Sequence, residues 1–93
     1  MINAVGMSWY SPEDYDSLRS LFKDGDQLPD TYDEWLLAAN RGVETLQNEG
    51  QKVLRIPLSP NEFVELCRIR KCDLDANGRK LFAATKAAEA VRG

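Results

Sequence analysis

The chain has 93 residues and a mass of 10.5 kDa, enough for one domain (1–93) and too little for two separate cores. Hydrophobic residues at 43% and charged residues at 29% exclude a disordered or fibrous chain, and no apolar run of about 18 residues is present to cross a membrane. The net charge is −3 with no histidine, which excludes Ser-His and Cys-His catalysis and any metal site that needs imidazole.

Met1 to Met7 show neither a basic start nor a long apolar stretch, so no secretory signal is expected; with only two cysteines, the expected setting is the reducing cytoplasm. Ser11-Pro12-Glu13-Asp14 predicts a helix start, with a capping serine, proline at the first helical position and acids on the positive helix end. Tyr15, Leu18, Leu21 and Phe22 follow at helical spacing, and Lys23-Asp24-Gly25-Asp26 supplies the turn that stops the helix. Thr31 and Glu34 form a T-x-x-E capping box that opens a second helix. Tyr32, Trp35, Leu36, Ala39, Val43 and Leu46 give the best apolar stripe in the chain, ended by Gly50. Gly42 lies inside it at a cost of about 1 kcal/mol relative to alanine, which points to an element packed closely there.

Val53 to Leu58 alternates as a short strand, and Pro57 confines it to a sheet edge or a strand end. Ser59-Pro60-Asn61-Glu62 repeats the earlier helix start, followed by Phe63, Leu66, Cys67 and Arg70 at helical spacing. A last helix is expected from near Asp73 or Asp75, with Leu74, Leu81, Phe82, Thr85 and Ala88 on one side and an alanine-rich end through Val91.

A weak repeat links the two halves. Val5, Ser11, Pro12, Leu18, Ala39 and Val43 match Val53, Ser59, Pro60, Leu66, Ala87 and Val91, and Asp14, Tyr15 and Leu21 face the similar Glu62, Phe63 and Ile69. Independent Ser-Pro helix starts would give some of these matches by themselves. As a real repeat, each half reads strand, capped helix, second helix, and residues 5–10 become a strand that pairs with 53–58. The expected fold is mainly α with a small two-stranded sheet, an α+β class with four helices.

The strings SWYSPEDYDSLRSLF, LPDTYDEWLLAA and RIPLSPNEF resemble small uncharacterised bacterial proteins, some carried near mobile elements. The resemblance covers most of the chain and implies no activity, so it assigns no catalytic residue.

Asp73-x-Asp75-x-Asn77-Gly78 copies the first half of an EF-hand calcium loop, but Lys80 and Ala84 stand where an apolar residue and the closing glutamate are needed. The expected role is an aspartate-rich helix start, with no metal and no cofactor. Cys67 and Cys72 are too far apart for a C-x-x-C pair and two ligands short of a zinc site; the reading is a small core residue and a loop thiol. The acids bracket no pocket, so a non-enzymatic protein is expected. Tyr32 and Trp35 belong by register to the core, whereas Trp9 and Tyr10, adjacent on a strand, point to opposite faces, one of them solvent-side.

Charge separates along the chain. Residues 1–50 hold ten acids and three bases, residues 51–93 nine bases and five acids, which gives −7 and +4. Two functions are compatible with this. The first is a small adaptor or regulatory module that binds another protein, or a second copy of itself, through Trp9, Tyr10, Asp30, Asp33 and Glu34. The alternative is a nucleic-acid-binding accessory domain in which helices within 60–91 present Arg68, Arg70, Lys71, Arg79, Lys80 and Lys86. The acidic balance and the acids at the front of the second of those helices favour the first.

Overall fold

The computed structural model describes residues 4–92, with side chains described for residues 4–90. The element order is β1 (Ala4–Trp9), α1 (Tyr15–Leu21), α2 (Tyr32–Asn48), β2 (Lys52–Pro57), α3 (Pro60–Arg70) and α4 (Ala76–Arg92), with a short 3₁₀ turn at Gly25–Gln27. About 61% of the described residues are helical and 14% are strand, an α+β fold.

β1 and β2 pair in parallel, from Ala4 opposite Lys52 to Trp9 opposite Pro57. Parallel strands need a crossover, and the segment carrying α1 and α2 provides it. Every pair in this ladder is 48 residues apart, the offset of the sequence repeat. The equivalence extends into the helices. Tyr15 and Phe63 are 1% and 0% exposed, Ala39 and Ala87 5% and 7%. The chain is therefore two β-α-α units whose strands lie side by side.

Successive strand residues face opposite sides of the sheet. Gly6 and Ser8 face α4: the Ser8 hydroxyl donates to the Arg79 carbonyl at 3.1 Å, and a Cβ on Gly6 would lie 2.5 Å from the Ala83 carbonyl oxygen. Met7 faces α2, its Cε 3.3 Å from where a Cβ on Gly42 would sit. The sheet is thus sandwiched between α2 and α4, and the helical glycine marks the close approach expected for it.

The core is aromatic. Tyr10, Tyr15, Phe22, Trp35, Phe63 and Phe82 are buried in one cluster, with Trp9 and Tyr32 packed against it. Phe63 lies edge-on to both Phe22 (5.5 Å) and Phe82 (5.9 Å), so it joins the two halves.

Local signals differ in places from the sequence reading. Ser11 Oγ accepts from the Asp14 N–H at 3.2 Å, but the residues it caps form a turn, and α1 begins only at Tyr15. Ser59 precedes Pro60 at the start of α3 without a side-chain cap; its carbonyl accepts from the Phe63 N–H at 2.9 Å. The Thr31 box forms with altered polarity: Oγ1 accepts from the Glu34 N–H (3.2 Å) and donates to Glu34 Oε1 (3.0 Å). On α4 the buried positions are Gly78, Phe82, Ala83 and Ala87, whereas Ala88 is exposed. Ala83 and Ala87 are small because β1 approaches closely at Gly6, whereas Phe82 packs on Phe63.

Candidate interaction surface

The backbone of β1 sets the geometry. Leu58 N–H donates to the Trp9 carbonyl at 2.9 Å, so Trp9 and, by alternation, Met7 and Val5 turn their main-chain groups toward β2. Gly6 and Ser8 turn theirs the other way, onto an edge with no neighbouring strand among the described residues. On β2 the same alternation sends Val53, Arg55 and Pro57 outward. Pro57 therefore lacks its N–H where no ladder partner exists, which is the edge position expected for it.

The two edges are unlike. β2 carries Lys52, Arg55 and Pro57, residues that blunt an edge against further pairing. β1 reads Ala-Val-Gly-Met-Ser-Trp, with no charge and no proline, and all six residues are half-buried rather than covered. Along this edge runs a groove of about 450 Å³ between α2 and α4. Gly6 and Ser8 form its floor, Ala38 and Ala39 one wall, Ala76 and Ala83 the other, and Lys80 its rim. Among the described residues no carboxylate lines it. A second groove of about 520 Å³ lies between α3 and α4, where Ile69 is exposed, but Lys86 reaches Glu62 there at 3.0 Å.

The residues singled out from sequence are scattered relative to this edge. Tyr10 is buried against Trp35 at 4.6 Å, and desolvation pushes its hydroxyl up to about 12. Trp9 is the less buried of the pair, edge-on to Trp35 at 5.1 Å and covered by the Arg55 guanidinium at 4.8 Å. Asp30 pairs with Arg19 at 3.3 Å and Glu34 closes the capping box, which leaves Asp33 exposed with no ion-pair partner among the described residues.

Half of the basic set is already engaged. Arg79 holds Asp24 through two bonds of 2.8 Å, Lys86 holds Glu62, and Arg68 holds Glu65. Arg70, Lys71 and Lys80 are exposed and have no ion-pair partner among the described residues. The edge groove was not visible in sequence, because strand orientation decides which main-chain groups face out.

Asp75, from the calcium-like loop, caps α4: its Oδ1 accepts from the Gly78 N–H at 3.1 Å. No group of three His, Cys, Asp or Glu able to hold a metal occurs among the described residues. None of the described helices is long and apolar enough to cross a membrane. Comparison with family models, with curated proteins and with solved structures finds no match.

Proposed function

We propose that this chain is a small, non-enzymatic interaction module that receives an extended segment of a partner protein on the free edge of β1. The observation that carries the reading is the asymmetry of the two edges: β2 is protected by Lys52, Arg55 and Pro57, whereas β1 offers the Gly6 and Ser8 main chain to a groove. Main-chain pairing supplies affinity in this mode, and the alanine walls admit small side chains. With Arg79 engaged by Asp24, Lys80 is the cation left on the rim among the described residues, so the fitting segment is acidic. Such a module acts as an adaptor or regulator in the cytoplasm, and nucleic acid is the weaker reading because three of its six proposed cations are already paired.

Selection from a random-peptide display library against the full chain tests this. Carboxylate-rich peptides should emerge that bind the wild type and lose binding to Ala38→Arg, a surface change that fills the groove. Ser8→Pro, which removes the outward N–H together with the hydroxyl bond to the Arg79 carbonyl, should weaken the same peptides, whereas Ser8→Ala, which loses the hydroxyl bond alone, should leave them bound. Ile69→Glu, in the other groove, should leave them bound. Binders indifferent to Ala38→Arg would overturn the reading, as would binders that depend on Asp33. Dimers in sedimentation that Ala38→Arg dissolves would instead name a second copy as the occupant.

A further inference from the structure

We infer that Cys67 and Cys72 form a dithiol site, which a small disulfide of the glutathione-disulfide class converts to an intramolecular disulfide. The geometry comes from the end of α3. Lys71 adopts a left-handed conformation (φ 55°) and folds the chain back, so that the Cys72 N–H donates to the Cys67 carbonyl at 3.0 Å. This six-to-one closure brings the two flanking side chains together, the contact that ordinarily joins two apolar residues in such a cap. Here both are cysteines, and both are free. The two thiols are close enough to act on one another, Cys72 being a direct neighbour of the Cys67 sulfur, which is the proximity a disulfide requires.

The environment orders the two thiols. Cys67 is buried, and its S–H donates to the Asp73 carbonyl at 3.5 Å. Burial pushes that thiol up to about 12, with the Cys72 thiol, Asp75 and Asp73 acting in the same direction. Cys72 is only half-buried and is the group an outside reagent meets. Its thiolate attacks one sulfur of the small disulfide; that S–S bond breaks, a mixed disulfide forms on Cys72, and the first small thiolate leaves and takes up a proton. Cys67 then loses its proton to water and attacks the Cys72 sulfur, which expels the second small thiol. Two protein thiols are oxidised and one small disulfide is reduced to two thiols, so electrons and protons balance. Because the second attack needs a buried thiol to deprotonate, the mixed disulfide accumulates before the ring closes.

The test is intact-mass analysis of the full chain after exposure to excess glutathione disulfide, quenched with acid and alkylated, with peptide mapping. The wild type should pass through one glutathione adduct to a product lighter than the dithiol by two hydrogens, with 67 and 72 linked. Cys67→Ala, which keeps a small apolar group in the core, should stop at the adduct on Cys72. Cys72→Ala should react at least about tenfold more slowly than the wild type, since only the buried thiol remains. A wild type that ends at a stable adduct, takes up two glutathiones, or gives only disulfide-linked dimers would overturn the inference.

Discussion

Arg79 on α4 grips Asp24, 55 residues earlier, with both arms of its guanidinium at 2.8 Å, and the same group lies 4.5 Å above the Phe22 ring. The pair is largely covered, the side chains being 12% and 21% exposed, so it is held in one geometry rather than solvated. Next to it the Lys23 N–H donates to the Leu74 carbonyl at 2.8 Å, and Lys23 reaches Asp73 at 3.0 Å. The turn after α1 is thereby fastened to the junction between α3 and α4, which joins one half of the repeat to the other.

That pair should be worth measuring by a double-mutant cycle in urea. Arg79→Ala should cost about 2–3 kcal/mol, because it removes a charge-assisted partner from a mostly covered carboxylate. The coupling between Arg79→Ala and Asp24→Ala should exceed about 1 kcal/mol; a coupling near zero would make this an ordinary surface pair. The bond from Arg79 holds the Asp24 carboxyl below its usual value. A depressed folded-state pKa gives stability that is present above the unfolded value, about 3.9, and lost as pH falls through the folded one. The difference between wild type and Asp24→Ala should therefore be full at neutral pH and shrink below about pH 3.9.

Phe63 has no exposed surface and touches aromatic rings from both halves. Phe63→Ala should cost about 3–5 kcal/mol by urea denaturation, a large part of the stability of so small a domain. A loss below about 1 kcal/mol would place the ring outside the core.

Much of this fold is legible in the sequence because its signals are local. Thr31 with Glu34, the stripe through Trp35, Ala39 and Val43, and the Ser59-Pro60 start of α3 each report within a few residues, whereas Ser11-Pro12 leads into a turn before α1. The repeat went further, since its offset of 48 is the register of the ladder. What stayed hidden depends on the chain returning to itself. Arg79 reads as a free cation until Asp24 is placed beside it. Cys67 and Cys72 read as unrelated because nothing marks Lys71, a non-glycine, for the left-handed conformation. Which edge of β1 is open depends on strands pairing in parallel, and alternation alone does not specify that.

Asp75 serves as the α4 cap, so its loss should appear as stability and not as metal affinity. Asp75→Ala should cost about 1 kcal/mol, with the same midpoint shift in calcium and in chelator. Saturable amide shifts at Asp73 to Gly78 with micromolar calcium would show instead that the loop holds the ion without its closing glutamate.

Two glycines separate two kinds of close packing, and their alanine variants should move stability in opposite directions. At Gly6 the new Cβ would lie 2.5 Å from the Ala83 carbonyl oxygen and 2.9 Å from the Ala87 Cβ. Both belong to α4, one of them to its backbone, so the helix itself has to shift from the sheet; Gly6→Ala should cost about 1–3 kcal/mol. At Gly42 the atom met among the described residues, outside the helix's own backbone, is the Met7 Cε at 3.3 Å, the end of an unbranched, adaptable side chain. Met7 can give way there, and alanine recovers helix propensity worth about 1 kcal/mol in the middle of α2. Gly42→Ala should therefore raise the urea midpoint while Gly6→Ala lowers it. A neutral Gly6→Ala would mean that α4 does not rest on β1 as described, and with it would go one wall of the groove beside the free edge.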